Sequence, residues 1–228
     1  MFAVGSSLIV LFYFLTLFIQ IVLRFSPLKT GFAFLASAVG TAVCATVSSS
    51  IVAKAGPRLL LTVGTLASAA GMFWLSGIDA DSGYAADLFG PLLVVGSGMG
   101  LCFVPLTPAA VAGVRGEETG ISSALLNASQ QVGGALGLAV LGTVAATTTR
   151  HRMEKLLPGS GGGTTGGSSG NGPVPPRVRH ALNDSLAHGY SVGFLIAGFI
   201  LAGAAVIAAT VIRVSAEDAA RTDVGVAV

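Results

Sequence analysis

The chain has 228 residues, of which 53% are apolar and only 10% charged, with mean hydropathy +0.83. Soluble domains carry about 25% charged residues, so this composition excludes one and points to the bilayer. A net charge of +2 is too small to suggest nucleic acid; Cys44 and Cys102 both lie in apolar runs without a Cys/His cluster, so no metal and no cofactor is expected.

Charges fall in clumps, and the gaps between them are the predicted elements. The uncharged runs are 1–23, 30–53, 59–78, 88–114, 119–149 and 185–212. Each reaches the length of about 20 residues that a spanning helix needs. The reading is an all-α membrane protein with six transmembrane helices. Helix 1 is no signal peptide: it lacks a basic leader, and its apolar run is too long. Its start at the first residue leads us to expect a piece of a longer chain. Ser6, Tyr13, Thr16 and Gln20 share one face of it, as interhelical hydrogen-bonding groups or as a cavity wall. Pro27 opens helix 2, where its missing N–H costs nothing. Gly40, Cys44 and Ser48 make a small-residue packing stripe there.

Lys54, Gly56 and Arg58 mark a short basic turn into helix 3. Asp79, Asp81 and Asp87 then make an acidic loop. Helix 4 carries Gly96, Gly98 and Gly100 for tight packing. Pro105 within it removes a backbone hydrogen bond and should kink it.

Helix 5 is the most patterned stretch, with no charge from Gly120 to Thr149. Thirty residues at 1.5 Å each span about 45 Å. Gly120, Ser123, Asn127, Gln130, Gln131 and Gly134 recur on one face, and Ser129, Gly133 and Gly137 form a small-residue ridge beside it. The ridge predicts a close helix–helix contact. The amides cannot face lipid, so they either bond to other helices or line a polar pathway. The pathway candidates are Tyr13, Thr16, Gln20, Asn127, Gln130 and Gln131.

Residues 150–188 read as an extramembrane segment: a polar exit, a Gly/Ser/Pro-rich flexible loop, then a short interfacial amphipathic helix from Arg177 to His188. Helix 6 follows over 189–213, and 214–228 is a short tail. Charge alone leaves the orientation open. Seven basic residues (Arg24, Lys29, Arg150, Arg152, Lys155, Arg177, Arg179) lie on one side and five (Lys54, Arg58, Arg115, Arg213, Arg221) on the other, and charges in long loops count for less.

Four stretches carry a resemblance: Tyr13–Gln20, Phe25–Leu35, Gly98–Pro108 and, most specifically, Gly120–Gly137. Together they are similar to the fourteen-helix drug:proton antiporter branch of the major facilitator superfamily. The resemblance covers Met1 to about Arg213. It implies the last six helices of a fourteen-helix transporter, one half of the fold built from two inverted three-helix repeats. It further implies a cytoplasmic C-terminus and an extracytoplasmic loop between helices 5 and 6. Lys54, Gly56 and Arg58 match a basic turn of that family, which the resemblance places on the cytoplasmic side, but Ala53 stands where an acid would be. Gln130 stands where an arginine is common.

Transporters of this type hold substrate between two six-helix halves. The implied partners are the bilayer, a missing N-terminal half that helices 1 and 4 would face, a small-molecule substrate and protons. The expected function is proton-coupled export of drugs or other small hydrophobic or cationic molecules. No Asp, Glu or His lies well inside a predicted span; His188, at the entry of helix 6, is the nearest. Paired acids, a Ser/His pair or metal ligands are missing from the helices, which argues against an enzyme. The alternative is a six-helix scaffold or homodimeric channel joined through Gly133 and Gly137.

Overall fold

The computed structural model describes residues 1–80, 82–111, 119–157 and 175–211. Among these, every regular element is helical, and six helices are long and apolar enough to cross a membrane. We label them α1 (Phe2–Val22), α2 (Pro27–Val52), α3 (Lys54–Leu75), α4 (Phe89–Val111), α5 (Thr119–Leu156) and α6 (Pro176–Val211).

Glycines decide which helices meet. Lipid tails are as apolar as leucine, so helices associate in a membrane chiefly through close packing and hydrogen bonds. A methyl added at Gly96 would collide with the Ser37 carbonyl of α2, and one at Gly100 with the Thr41 carbonyl. Gly98 lies between them and points to Gly64 and Ser68 of α3. The three glycines of α4 therefore serve two neighbours. Hydroxyls reinforce the seams: Thr41 donates to the Gly96 carbonyl at 3.0 Å, and Ser68 to the Val95 carbonyl at 3.5 Å. On the other side of the bundle α1 packs on α5 and α6, and α3 packs on α6.

This set of pairs has an internal symmetry. Exchanging α1 with α4, α2 with α5 and α3 with α6 converts the α1–α5 contact into α4–α2 and the α1–α6 contact into α4–α3. It leaves α3–α6 unchanged. Two three-helix repeats produce that pattern. At the centre, Phe14, Phe18, Phe194, Leu15, Met72 and Leu92 are fully buried.

Pro105 is buried in α4, which stays helical through it. Proline has no N–H, so the carbonyl four residues earlier, that of Leu101, loses its usual donor. The hydroxyl of Ser48 on α2 lies 3.4 Å from that oxygen and takes the donor's place.

The turn from α2 to α3 rests on Gly56, at φ 76° and ψ 152°, a conformation side chains resist. Pro57, the next residue, carries the chain into the regular part of α3 with φ already set. Arg58 donates to the carbonyl of Ala209 near the end of α6. A cation there complements the negative end of the helix dipole.

α5 and α6 differ from expectation at the end where they face each other in sequence. α5 has 38 residues and α6 has 36, so they are about 57 and 54 Å long against a bilayer core of about 30 Å. Residues 150–156, read as a polar exit, continue α5. Residues 177–188, read as a separate interfacial helix, are the first turns of α6. The reason is tertiary: the two extensions pack side by side. Arg152 meets Asp184 at 3.0 Å, and Ser185 is buried against Met153. The loop over 158–174, the loop holding Arg115, Glu117 and Glu118, and the tail over 214–228 lie outside the described residues.

Candidate functional site

The site grows from how α1 and α5 meet and part. At one end they touch through small residues. A methyl at Gly133 would collide with the Phe2 carbonyl, one at Gly137 with Ser6, and one at Gly5 with the Gln130 carbonyl. Gly134, assigned by spacing to the amide face, meets the Ile9 side chain. The α1 contact therefore straddles the ridge and the edge of the amide face. The ridge is covered within the chain and is not the free surface a dimer would use.

Further along, the helices separate. Gly142 has nothing within 4 Å of where a Cβ would stand. The separation has a cause on α6. The Phe14 ring lies over Gly193, with its centroid 5.4 Å from that of Tyr190 and 6.0 Å from that of Phe194. This aromatic group props the three helices apart where no small residues draw them together. The result is a cleft of about 830 Å³ between α1, α5 and α6. Its walls are apolar, with Leu17, Leu138, Ala146 and Leu186 prominent. Arg150 and Glu154 stand at its mouth, 3.8 Å apart. The volume lies within the range of about 300–1,000 Å³ that small-molecule sites occupy.

The residues singled out from the sequence do not converge. Tyr13 is 48% exposed and lines the cleft. Tyr13 and Thr16 also line a shallow depression of about 380 Å³ along α1. Gln20 is half-buried within a π-helical turn, Phe18–Val22, that ends α1. Asn127 and Gln131 are exposed and Gln130 half-buried, all on the first half of α5. The cleft begins on α5 at Leu138, eleven residues beyond Asn127, or about 16 Å along the axis. Tyr13 thus faces the apolar half of α5, not its amides. Ser6, grouped with Tyr13 by periodicity, is buried against Gly137. In the basic turn, Lys54 is exposed and Gly56 buried. His188 is exposed.

Three cleft residues were not singled out from the sequence: Tyr190, Arg150 and Glu154. Tyr190 is 6% exposed and lines the cleft. Its signal was present, as the lone tyrosine of an apolar helix. A phenol buried in such a helix needs a partner or a cavity. Glu154 was legible only as part of a charged exit, because its position at the mouth depends on α5 staying helical beyond the membrane.

A sequence profile of the Major Facilitator Superfamily matches residues 1–138. The chain is 34% identical over 190 residues to the puromycin resistance protein pur8 of Streptomyces alboniger, which covers 82% of this chain and 34% of that protein. It is 34% identical over 153 residues to the cephamycin export protein CmcT of Amycolatopsis lactamdurans, covering 67% of this chain and 32% of the relative. It is 28% identical over 196 residues to a multidrug resistance protein B homolog of Mycobacterium tuberculosis, covering 82% and 36%. The chain spans about a third of the length of these relatives.

Proposed function

We propose that this chain, which belongs to the Major Facilitator Superfamily, forms the C-terminal six-helix half of a drug exporter. The observation that carries the proposal is the cleft between α1, α5 and α6, apolar inside and of drug-like size. An N-terminal half would lie over α1 and α4, which the repeat relates, and over the exposed amide face of α5. It would enclose the cleft on one side and the amides Asn127 and Gln131 on another. Substrate would then pass between the halves, as in other transporters built from such repeats.

The chain's own contribution is a wall. Small residues hold α1 and α5 shut at the Phe2–Gly133 level, and the cleft opens beyond it. In the proposed orientation the C-terminus is cytoplasmic and the cleft's mouth faces the extracytoplasmic side. Proton coupling would draw on an acid of the other half. The acid at this cleft, Glu154, stands at the mouth and faces Arg150. A coupling group needs to sit in the membrane interior.

The test is efflux of ethidium from vesicles, with this chain made alone or with the N-terminal half of the puromycin resistance relative. Gradient-driven efflux is expected only when both halves are present, and Gly142→Leu should lower it without lowering membrane insertion. Efflux driven by a proton gradient with this chain alone would overturn the reading.

A further inference from the structure

The cleft contains a polar group that the fold leaves unused. Tyr190 is 6% exposed, its ring is packed on Phe14 at 5.4 Å, and it lines the cleft. Among the described residues its hydroxyl makes no hydrogen bond. Its oxygen is not sealed in the core: among the described residues the buried side-chain oxygen without a partner is Ser7 Oγ, so the Tyr190 hydroxyl opens into the cleft and is free to donate there. Tyr13 stands on the α1 wall of the same cleft, and its hydroxyl likewise bonds to no described residue. Gly142 of α5 also lines the cleft and leaves open space where any other residue would project a side chain.

Aromatic rings at Tyr13, Phe14 and Tyr190 in an otherwise aliphatic lining, open space at Gly142 and an O–H without a described protein partner suit a ligand. The walls favour a planar aromatic body, which stacks on tyrosine faces. The hydroxyl favours an acceptor on that body, such as a ketone or quinone oxygen. Charge is not called for. Arg150 and Glu154 sit at the mouth within 3.8 Å of each other and largely cancel, and the other lining side chains are neutral. We propose that Tyr190 donates to a carbonyl oxygen of a neutral, planar aromatic substrate held between α1, α5 and α6. The proposal rests on the cleft being the substrate's, and it narrows the substrate class.

The test uses the full chain in lipid nanodiscs and a pair of probes with one ring system. 9-Fluorenone carries a carbonyl where fluorene carries a methylene. A third probe, a fluorene bearing a trimethylammonium group, tests for charge. Binding is measured against empty nanodiscs to remove partition into lipid, and the infrared carbonyl stretch of bound fluorenone reports its hydrogen bond. Fluorenone should bind about tenfold more tightly than fluorene, with its stretch shifted down. Tyr190→Phe, which keeps the ring, should erase both the preference and the shift. Gly142→Phe should fill that open space and abolish binding of both neutral probes.

Equal binding of fluorenone and fluorene, both lost in Gly142→Phe, would overturn the acceptor-specific proposal and leave the cleft as a substrate site. An unchanged preference in Tyr190→Phe would overturn it too. So would tighter binding of the cationic probe. Failure of all three probes to bind above empty nanodiscs would sink the substrate reading of the cleft with it.

Discussion

Removing the hydroxyl of Ser48 tests whether α2 compensates for the proline in α4. Ser48 is fully buried, and its oxygen lies 3.4 Å from the Leu101 carbonyl that Pro105 leaves without a donor. Ser48→Ala removes the substitute donor and leaves that carbonyl unsatisfied in the interior. Polar contacts between membrane helices average about 0.6 kcal/mol and reach about 1.7. At 3.4 Å the bond is long, so a cost of about 0.6 kcal/mol is expected. Pro105→Ala supplies an N–H of its own to Leu101. In that background Ser48→Ala should cost close to nothing. The assay is a double-mutant cycle, with reversible unfolding of the full chain in mixed micelles followed by circular dichroism. The mutations couple only if the two donors serve one carbonyl. An equal cost of Ser48→Ala in both backgrounds would refute the reasoning.

Other expectations follow from the same geometry. Gly137→Leu forces a side chain into Ser6, so overpacking of about 1–3 kcal/mol should lower its folded yield in detergent. Gly142→Leu enters open space and should keep yield, as should Asn127→Leu, whose side chain is exposed. Equal losses in all three would show that the close and open parts of α5 are misassigned. Arg24 sits in the left-handed region at φ 56°; Arg24→Gly relieves that strain and should raise the unfolding temperature, by a gain of about 1 kcal/mol. The Arg152–Asp184 pair is partly exposed at 3.0 Å, so a double-mutant cycle should give about 0.2–1 kcal/mol, falling in molar salt. A coupling that salt leaves unchanged would contradict a surface ion pair.

Six spans could be read from the sequence, because the cost of charge in lipid confines Arg, Lys, Asp and Glu to the gaps between helices. The residue type at Gly133 and Gly137 likewise announced a close contact, since small side chains let backbones approach. The partner, however, is a tertiary fact. Nothing in the spacing on α5 says that α1 covers the ridge, or that Gly134 turns to Ile9. Periodicity also grouped Ser6 with Tyr13, whereas the structure buries one and opens the other. Periodicity records direction around an axis, while environment depends on whether the neighbouring helix is near or far at that height. The helical extensions of α5 and α6 escaped the sequence for a related reason. A polar exit looks like a loop until a second polar segment, brought back by the chain, supplies Asp184 for Arg152 and a burial site for Ser185. Tyr190 was one tyrosine in an apolar helix until packing on Phe14 set its hydroxyl in a cleft between three helices. Local chemistry determines which segments enter the membrane and which faces can approach; the distance between two helices at a given residue is set by all the side chains between them.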